Sequence, residues 1–264
     1  MSAFQNIKLV VEAGVARLTL ARPDALNALS RPLLREMITA LDALRQNREA
    51  RVLLITGEGR GFSSGADLSA GNSPVGSPDF DGGEVLEQYY NPLIERMFAL
   101  PLPIVSAIHG PVVGAGCSIA LSADIVIAAE SAYFLQAFIN VGLVPDAGSM
   151  WLLPRLIGRS RALSMMMLGE RIPAKTALDW GLVHDVVADA DLATRVAAIT
   201  EKLARGPTLA YALIRQGVRK ASEQTLSETL VYEREAQRLA GASADFAEGV
   251  AAFREKRPAK FTGR

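Results

Sequence analysis

The sequence predicts an α/β fold. Apolar runs of strand length alternate with amphipathic helical segments up to about residue 191, the order expected of parallel βαβ units. From about Leu192 the strand signal fades and helical patterns run to the end, punctuated by Gly206-Pro207. Two domains are expected: a core over 1–191 carrying the site, and a helical module over 192–264. A length of 264 residues suits one large domain with an appended helical piece.

The elements follow in order. Ile7, Leu9 and Val11 alternate with polar neighbours, Ala13-Gly14 offers a turn, and Val15 to Leu20 alternates again, which predicts a β-hairpin. Ser30 is placed to cap a helix whose buried face is Leu33, Leu34, Met37, Ile38, Leu41 and Leu44. Val52 to Thr56 is nearly all apolar, as in a strand covered on both faces. The unit recurs with Ile104 to Ile108, the turn His109-Gly110-Pro111, a helix from about Gly114, and a strand from Ile125 to Ala128. Ser69–Glu84 holds four Gly, three Ser and two Pro in sixteen residues and reads as a long functional loop.

Composition removes several function classes. With 50% hydrophobic and 21% charged residues the chain is not disordered. Its 28 basic and 28 acidic side chains cancel, leaving no global field to attract nucleic acid or an acidic membrane. One cysteine, Cys117, rules out an internal disulfide framework, and two histidines, His109 and His184, argue against a metal centre. Met1 to Val10 has no charged-then-apolar leader pattern, and no apolar run approaches the ~20 residues that span a bilayer. The expectation is a cytoplasmic protein without a membrane, nucleic-acid or metal partner.

Two glycine-rich strings carry the chemistry. Gly61-Phe-Ser-Ser-Gly65 matches the nucleophile-elbow string, which would make Ser63 an acyl-transfer nucleophile with His184 as its base. A strand should then run straight into a helix, whereas this string leads to Ala66-Asp67-Leu68 and a long loop. Gly114-Ala-Gly116 follows a strand and opens a helix, but Ile119 stands at the third glycine of a dinucleotide fingerprint. What survives is a helix N-terminus of small residues with backbone N–H groups open to an oxygen-bearing ligand.

Together, Phe62 to Leu68 and Val113-Gly-Ala-Gly-Cys117 resemble the two oxyanion-hole segments of the crotonase (enoyl-CoA hydratase/isomerase) family. Ala21-Arg-Pro-Asp-Ala-Leu-Asn-Ala-Leu29 is similar to its CoA-binding turn, and Pro103 to Gly110 to the strand before its second oxyanion helix. Ser122 to Val126 continues that likeness, Val141-Gly-Leu-Val-Pro-Asp-Ala-Gly148 resembles its active-site turn, and Gly181-Leu-Val a later strand. The resemblance runs from about residue 5 to the C-terminus. It implies a crotonase-like ββα spiral with a C-terminal helical trimerisation module, as a homotrimer or a hexamer.

The resemblance also implies roles. The substrate would be an acyl-CoA thioester, with no cofactor beyond the coenzyme A it carries. Its carbonyl would be polarised by the backbone N–H groups of Ala66 and Ala115, with Gly114 and Gly116 beside the second. Such preorganised donors stabilise an enolate oxygen as its charge develops. The glutamates with which hydratases of this kind activate water are replaced by Ser118 and Phe138, which could contact substrate but exchange no proton with water. Asp146 falls where isomerase-type members have an aspartate, resembling the ring-1,2-epoxyphenylacetyl-CoA isomerase branch of phenylacetate catabolism. The extra glutamate of dienoyl-CoA isomerases is missing, Phe138 and Asn140 being nearest its place. CoA would be held by Arg22, by main-chain groups at Ala25, Leu26, Ala28, Ser64, Asp67 and Leu68, and by Lys256 and Lys260 of the basic C-terminal run, from the same or a neighbouring subunit.

Asp146 has apolar neighbours in Leu143, Val144, Pro145 and Trp151. Burial among them would raise its pKa from the ordinary ~3.9. It could instead cap the helix starting near Gly148. Three functions are carried forward: an isomerase with Asp146 as proton shuttle, a hydratase adding water to a 2-enoyl-CoA, and a non-catalytic acyl-CoA-binding protein.

Overall fold

The computed structural model describes residues 4–68 and 81–263. The first two strands, β1 (Ile7–Glu12) and β2 (Val15–Leu20), form the expected antiparallel hairpin. Ala13 and Gly14 both have positive φ, 49° and 82°, which is what a two-residue turn matching strand twist needs. Ser30 caps α1 (Arg31–Gln46), its Oγ accepting the Leu33 N–H at 3.4 Å, and the expected apolar stripe faces inward with Ile38 at its margin.

The chain then adds β3 (Val52–Gly57), β4 (Ile104–Ile108), β6 (Ile125–Ala129) and β9 (Asp185–Val187) in parallel, giving a six-stranded sheet ordered β1-β2-β3-β4-β6-β9. Leu53 and Ile55 of β3 pack towards α1 in the main core, while Val52 and Leu54 join Val105, Ala107 and Ile127 on the other face. That second face is covered by α6 (Leu192–Ala204) through Val196 and Ala204. The expected C-terminal module therefore opens with a helix that closes the sheet. A second sheet is made of three-residue strands, β5 (Pro111–Val113), β7 (Tyr133–Leu135) and β8 (Arg171–Pro173).

Between β3 and β4 lies α2 (Asn91–Ala99), entered through a π-helical turn over Leu86–Tyr90. Pro92 has no N–H to continue an α-helical ladder, and the Asn91 N–H reaches back to Leu86 O instead. Of the expected loop Ser69–Glu84, residues 69–80 lie outside the described residues, and helix begins at Glu84. The remaining helices are α3 (Ala115–Leu121), α4 (Ser149–Leu168), α5 (Ala174–Asp179), α7 (Thr208–Ala221), α8 (Leu226–Gly241) and α9 (Ala244–Glu255).

The strand expected at Gly181-Leu-Val starts later, at Asp185. Gly181, φ +78°, ends α5 in a Schellman arrangement: its N–H bonds Leu178 O and the Leu182 N–H bonds Ala177 O. Leu182 and Val183 are buried through that cap, not by pairing. No helix among the described residues is long and apolar enough to cross a membrane.

Candidate active site

The site is built where the segment after β3 meets the N-terminus of α3. Gly57 leads into a backbone that pairs twice. Ser63 bridges Val112 of β5, and Ala66 bridges Leu29. In the second bridge the Leu29 N–H donates to Gly65 O at 2.8 Å and the Asp67 N–H to Leu29 O at 3.3 Å. Parallel pairing of this kind leaves the N–H of Ala66 itself pointing away from Leu29. It has no hydrogen-bond partner among the described residues.

The second donor arises at α3. Gly114 takes φ +52°, ψ −126° and ends its own pairing by donating its N–H to Leu135 O at 2.8 Å. The helix then starts at Ala115, whose N–H has no intrahelical acceptor. The two segments touch: a Cβ on Gly65 would lie 2.9 Å from Val113 O and 3.7 Å from Gly114 Cα. Free donors at Ala66 and Ala115 are thus each one residue past a backbone contact, and Phe138 covers Gly114 from the side.

The turn Ala21–Leu29 is stitched to this segment from below. Ser64 donates its N–H to Leu26 O and its hydroxyl to Ala25 O. Arg22 Nη1 donates to Ala28 O at 2.6 Å and to Asp67 Oδ2 at 2.9 Å. The guanidinium expected to meet CoA phosphates is therefore matched to a carboxylate and fastens the turn to the Ala66 strand. Gly116 lets α3 approach Ser63, where a Cβ would stand 2.8 Å from Ser63 Cβ, so its position is explained by packing. Leu68 is exposed at the edge of the described segment.

The nucleophile reading of Ser63 fails on geometry. Ser63 is fully buried, with its hydroxyl donating to Asn27 O at 2.9 Å. His184 sits just before β9, level with Ile55 and three strands across the sheet from β3, ~14 Å to the side. Cys117 is equally inert: burial pushes its thiol up to about 12, and Sγ donates to Val112 O.

Asp146 stands in the turn before α4. Gly148 is the cap residue of that helix and no side chain caps it, so the capping role is not the one the carboxylate fills. Its Oδ1 is buried without a hydrogen-bond partner among the described residues, and burial pushes the carboxyl up to about 6. Of the flanking residues expected to bury it, Leu143 and Val144 are exposed, while Pro145 and Trp151 are half-buried. Ser118, one helical turn beyond Ala115, is buried and donates to Asp146 O at 3.1 Å, turned into the protein instead of towards a ligand.

Sequence reasoning missed Tyr90 and Asn27. Tyr90 is buried, its hydroxyl 3.4 Å from Leu29 O. Its acidity is suppressed by burial and then by the charges of Asp146 and Asp67, of which it is the common neighbour. Asn27, at φ +54°, spends both amide protons on Glu58 O and Gly61 O. Only the residue type, polar between Leu26 and Ala28, signalled it.

Lys256 and Lys260 are not brought to this site by their own chain. Lys256 ends α9 in the left-handed region, and the Lys260 N–H is held by Glu248 at 2.7 Å. The tail beyond them is tied to Arg51, which donates to Phe261 O at the start of β3. Ala66 lies past the other end of that six-residue strand, ~20 Å of extended chain away.

The chain is similar to known proteins over nearly its whole length. The family model described as enoyl-CoA hydratase/isomerase matches residues 11–264. The 1,2-epoxyphenylacetyl-CoA isomerase of Escherichia coli (strain K12) is 44% identical over 254 residues, 96% of this chain and 97% of that protein. A Rhodobacter capsulatus protein assigned as an enoyl-CoA hydratase is 41% identical over 262 residues, 99% of this chain and 100% of that one. A solved structure from Mycobacterium abscessus, assigned as an enoyl-CoA hydratase/isomerase, superposes with a TM-score of 0.93 at 38% identity, covering 98% of this chain and 100% of that one. With its ββα spiral, its C-terminal helices and near-complete coverage by these relatives, the chain belongs to the enoyl-CoA hydratase/isomerase family of enzymes and has the crotonase fold.

Proposed function

We propose that the protein is an acyl-CoA isomerase in which Asp146 relays a proton and the N–H groups of Ala66 and Ala115 hold the thioester oxygen. The observation that carries this reading is Asp146 itself: a carboxylate that caps no helix, with a buried oxygen unpartnered among the described residues and a pKa raised to about 6. A carboxylate so tuned is a better base near neutral pH than an ordinary one.

Asp146 removes a proton from a carbon conjugated through the thioester carbonyl. The electron pair moves onto the thioester oxygen, where two preorganised backbone donors stabilise the enolate. The protonated Asp146 then returns the proton at another carbon, so the product has the mass of the substrate. Ser118 and Phe138 hold the positions from which a hydratase would activate water, and neither side chain is a base at neutral pH. A ring-epoxide or enoyl thioester of an arylacetic acid is the preferred substrate class, by likeness to the Escherichia coli relative.

The rest of the reading concerns binding and assembly. Main-chain groups at Ala25, Leu26, Ala28, Ser64, Asp67 and Leu68 receive the CoA moiety, and no cofactor beyond it is required. Ile214, Val218, Leu230, Val231 and Phe253 are exposed apolar side chains on α7, α8 and α9; these helices form a cytoplasmic trimer, or a hexamer of two trimers. Assembly supplies Lys256 and Lys260 to the CoA site of a neighbouring copy.

The test is to incubate the protein separately with a 2-enoyl-CoA and a 3-enoyl-CoA and follow product mass. A double-bond shift at unchanged mass is the expected result. Rapid gain of water by the 2-enoyl ester would establish a hydratase instead, and tight binding without turnover of either ester or of an aromatic ring-epoxide thioester would establish a binding protein.

A further inference from the structure

Asp146 and the oxyanion donor Ala115 are far apart in sequence, yet one side chain connects them. Ser118 sits on the first turn of α3, three residues after Ala115, and both are buried. Its hydroxyl lies 3.1 Å from Asp146 O and 2.7 Å from Ser149 Oγ. The direction of this chain is dictated by valence. A carbonyl only accepts, so the single Ser118 proton goes to Asp146 O and Ser149 must donate to Ser118. The Ser149 N–H also donates to Asp146 O, at 3.0 Å. Both serines are 1% exposed.

The turn held in this way is conformationally expensive. Ala147 has φ +48° and Gly148 φ +86°, the first a backbone state that L-residues rarely adopt. Two hydrogen bonds on one carbonyl lock it, while the carboxylate of the same residue has an oxygen with no partner among the described residues.

We propose that Ser149 and Ser118 form a hydroxyl relay that positions the Asp146 carboxylate relative to the Ala115 N–H, so that one turn of α3 and one hydrogen bond set the spacing between base and oxyanion donor. Both serines are positioning residues, acting through the Asp146 main chain. The inference rests on Asp146 being the base of the proposed isomerase.

The experiment uses the full-length wild-type protein and the variants Ser118→Ala, Ser149→Ala, the double variant and Asp146→Asn. The probe is a 3-enoyl-CoA in D2O, read for double-bond shift and deuterium uptake by mass. Ser118→Ala should lower kcat about 10- to 100-fold with KM nearly unchanged, the size of effect that small misplacement of a catalytic group produces. The acid limb of its pH profile should move towards the ordinary carboxylate range, and Ser118→Thr, which restores the hydroxyl, should recover part of kcat. The double variant should be no slower than Ser118→Ala, because the relay acts as one unit.

A Ser118→Ala protein that melts lower but keeps wild-type kcat and an unmoved acid limb would overturn the relay. Where Ser118→Ala fails to fold, Ser149→Ala decides: kcat lowered about threefold or more at constant KM supports cooperative support along the chain, and unchanged kcat overturns it. Asp146→Asn separates the two levels. If it turns over like wild type, or wild type converts neither the probe nor an aromatic ring-epoxide thioester, the isomerase reading falls and takes the relay with it; a dead Asp146→Asn beside an unaffected Ser118→Ala sinks the relay alone.

Discussion

Gly65 and Gly114 meet backbone to backbone, both at positive φ, +90° and +52°. A side chain on Gly65 would reach 2.9 Å from Val113 O, inside the closest approach real Cβ atoms make. Since Ala66 and Ala115 follow these two residues directly, the contact sets the gap between the donors. Gly65→Ala should therefore lower kcat by about 100-fold or more, as loss of one oxyanion donor does, with a stability loss of about 1–3 kcal/mol from backbone strain. Initial rates and urea unfolding on the same sample check it; normal activity in the Gly65→Ala variant would show that the close approach is dispensable.

Asp146→Asn tests the base and the burial together. Removing the proton acceptor should lower turnover about 10²- to 10⁴-fold, while binding of a non-reactive acyl-CoA, followed by calorimetry, survives. The same change should stabilise the fold. The carboxyl is raised from 3.8 to about 6 because burial penalises its charge, and a neutral amide escapes that penalty. A gain of about 1–3 kcal/mol at pH 7 is expected, read as a higher melting temperature. A lower one would mean that the carboxylate makes a stabilising contact.

The pH dependence follows with its sign. In the proposed relay the ionised form is the active one, so kcat/KM should rise with pH through a midpoint near 6 and lose its acid limb in Asp146→Asn. Stability runs the other way. A carboxyl whose folded pKa is raised contributes favourably below its unfolded value of 3.8, and that contribution is lost as pH climbs through about 6. The stability gap between Asp146→Asn and wild type should then open between those two values, measured by chemical unfolding across the range. A gap independent of pH would assign it to packing and not to charge.

How far the sequence carried depends on how local the cause was. The hairpin, α1 with its Ser30 cap, and β3 are dictated by periodicity and turn chemistry within a few residues, and each is present where expected. The three-residue strands β5, β7 and β8 are too short to show a period and are held by distant partners. The π turn ahead of α2 follows from Pro92 but is visible only once the helix is known. In the site, the positions of Ala66 and Ala115 come from the resemblance of two ordered motifs, because small residues alone are equally explained by packing, as Gly116 against Ser63 shows. Side-chain roles were less so. Arg22 looks like an anion ligand until Asp67 is found 2.9 Å away, and the apolar neighbours of Asp146 in sequence, Leu143 and Val144, point outwards. Burial of a carboxylate is a tertiary property that sequence neighbours do not determine.

Asn27 offers the sharpest test of what holds the Ala21–Leu29 turn. Its Nδ2 donates to Glu58 O and Gly61 O, both at 2.9 Å, and its Oδ1 accepts the Arg22 N–H at 2.9 Å, in a fully buried site. Asn27→Ala would strand two carbonyls and one N–H and place alanine at φ +54°. Each unsatisfied buried group costs about 1–3 kcal/mol, partly relieved by relaxation, so a loss of about 2–4 kcal/mol is expected. Asn27→Asp keeps the shape and the Arg22 acceptor but turns two donors into an anion facing two carbonyls. That carboxyl should be protonated well above the ordinary range, making the variant more stable near pH 4 than at pH 7, opposite to a salt-bridged aspartate. Unfolding at the two pH values decides it: an Asn27→Asp variant as stable at pH 7 as at pH 4 would mean that the amide donors are not what fastens the turn.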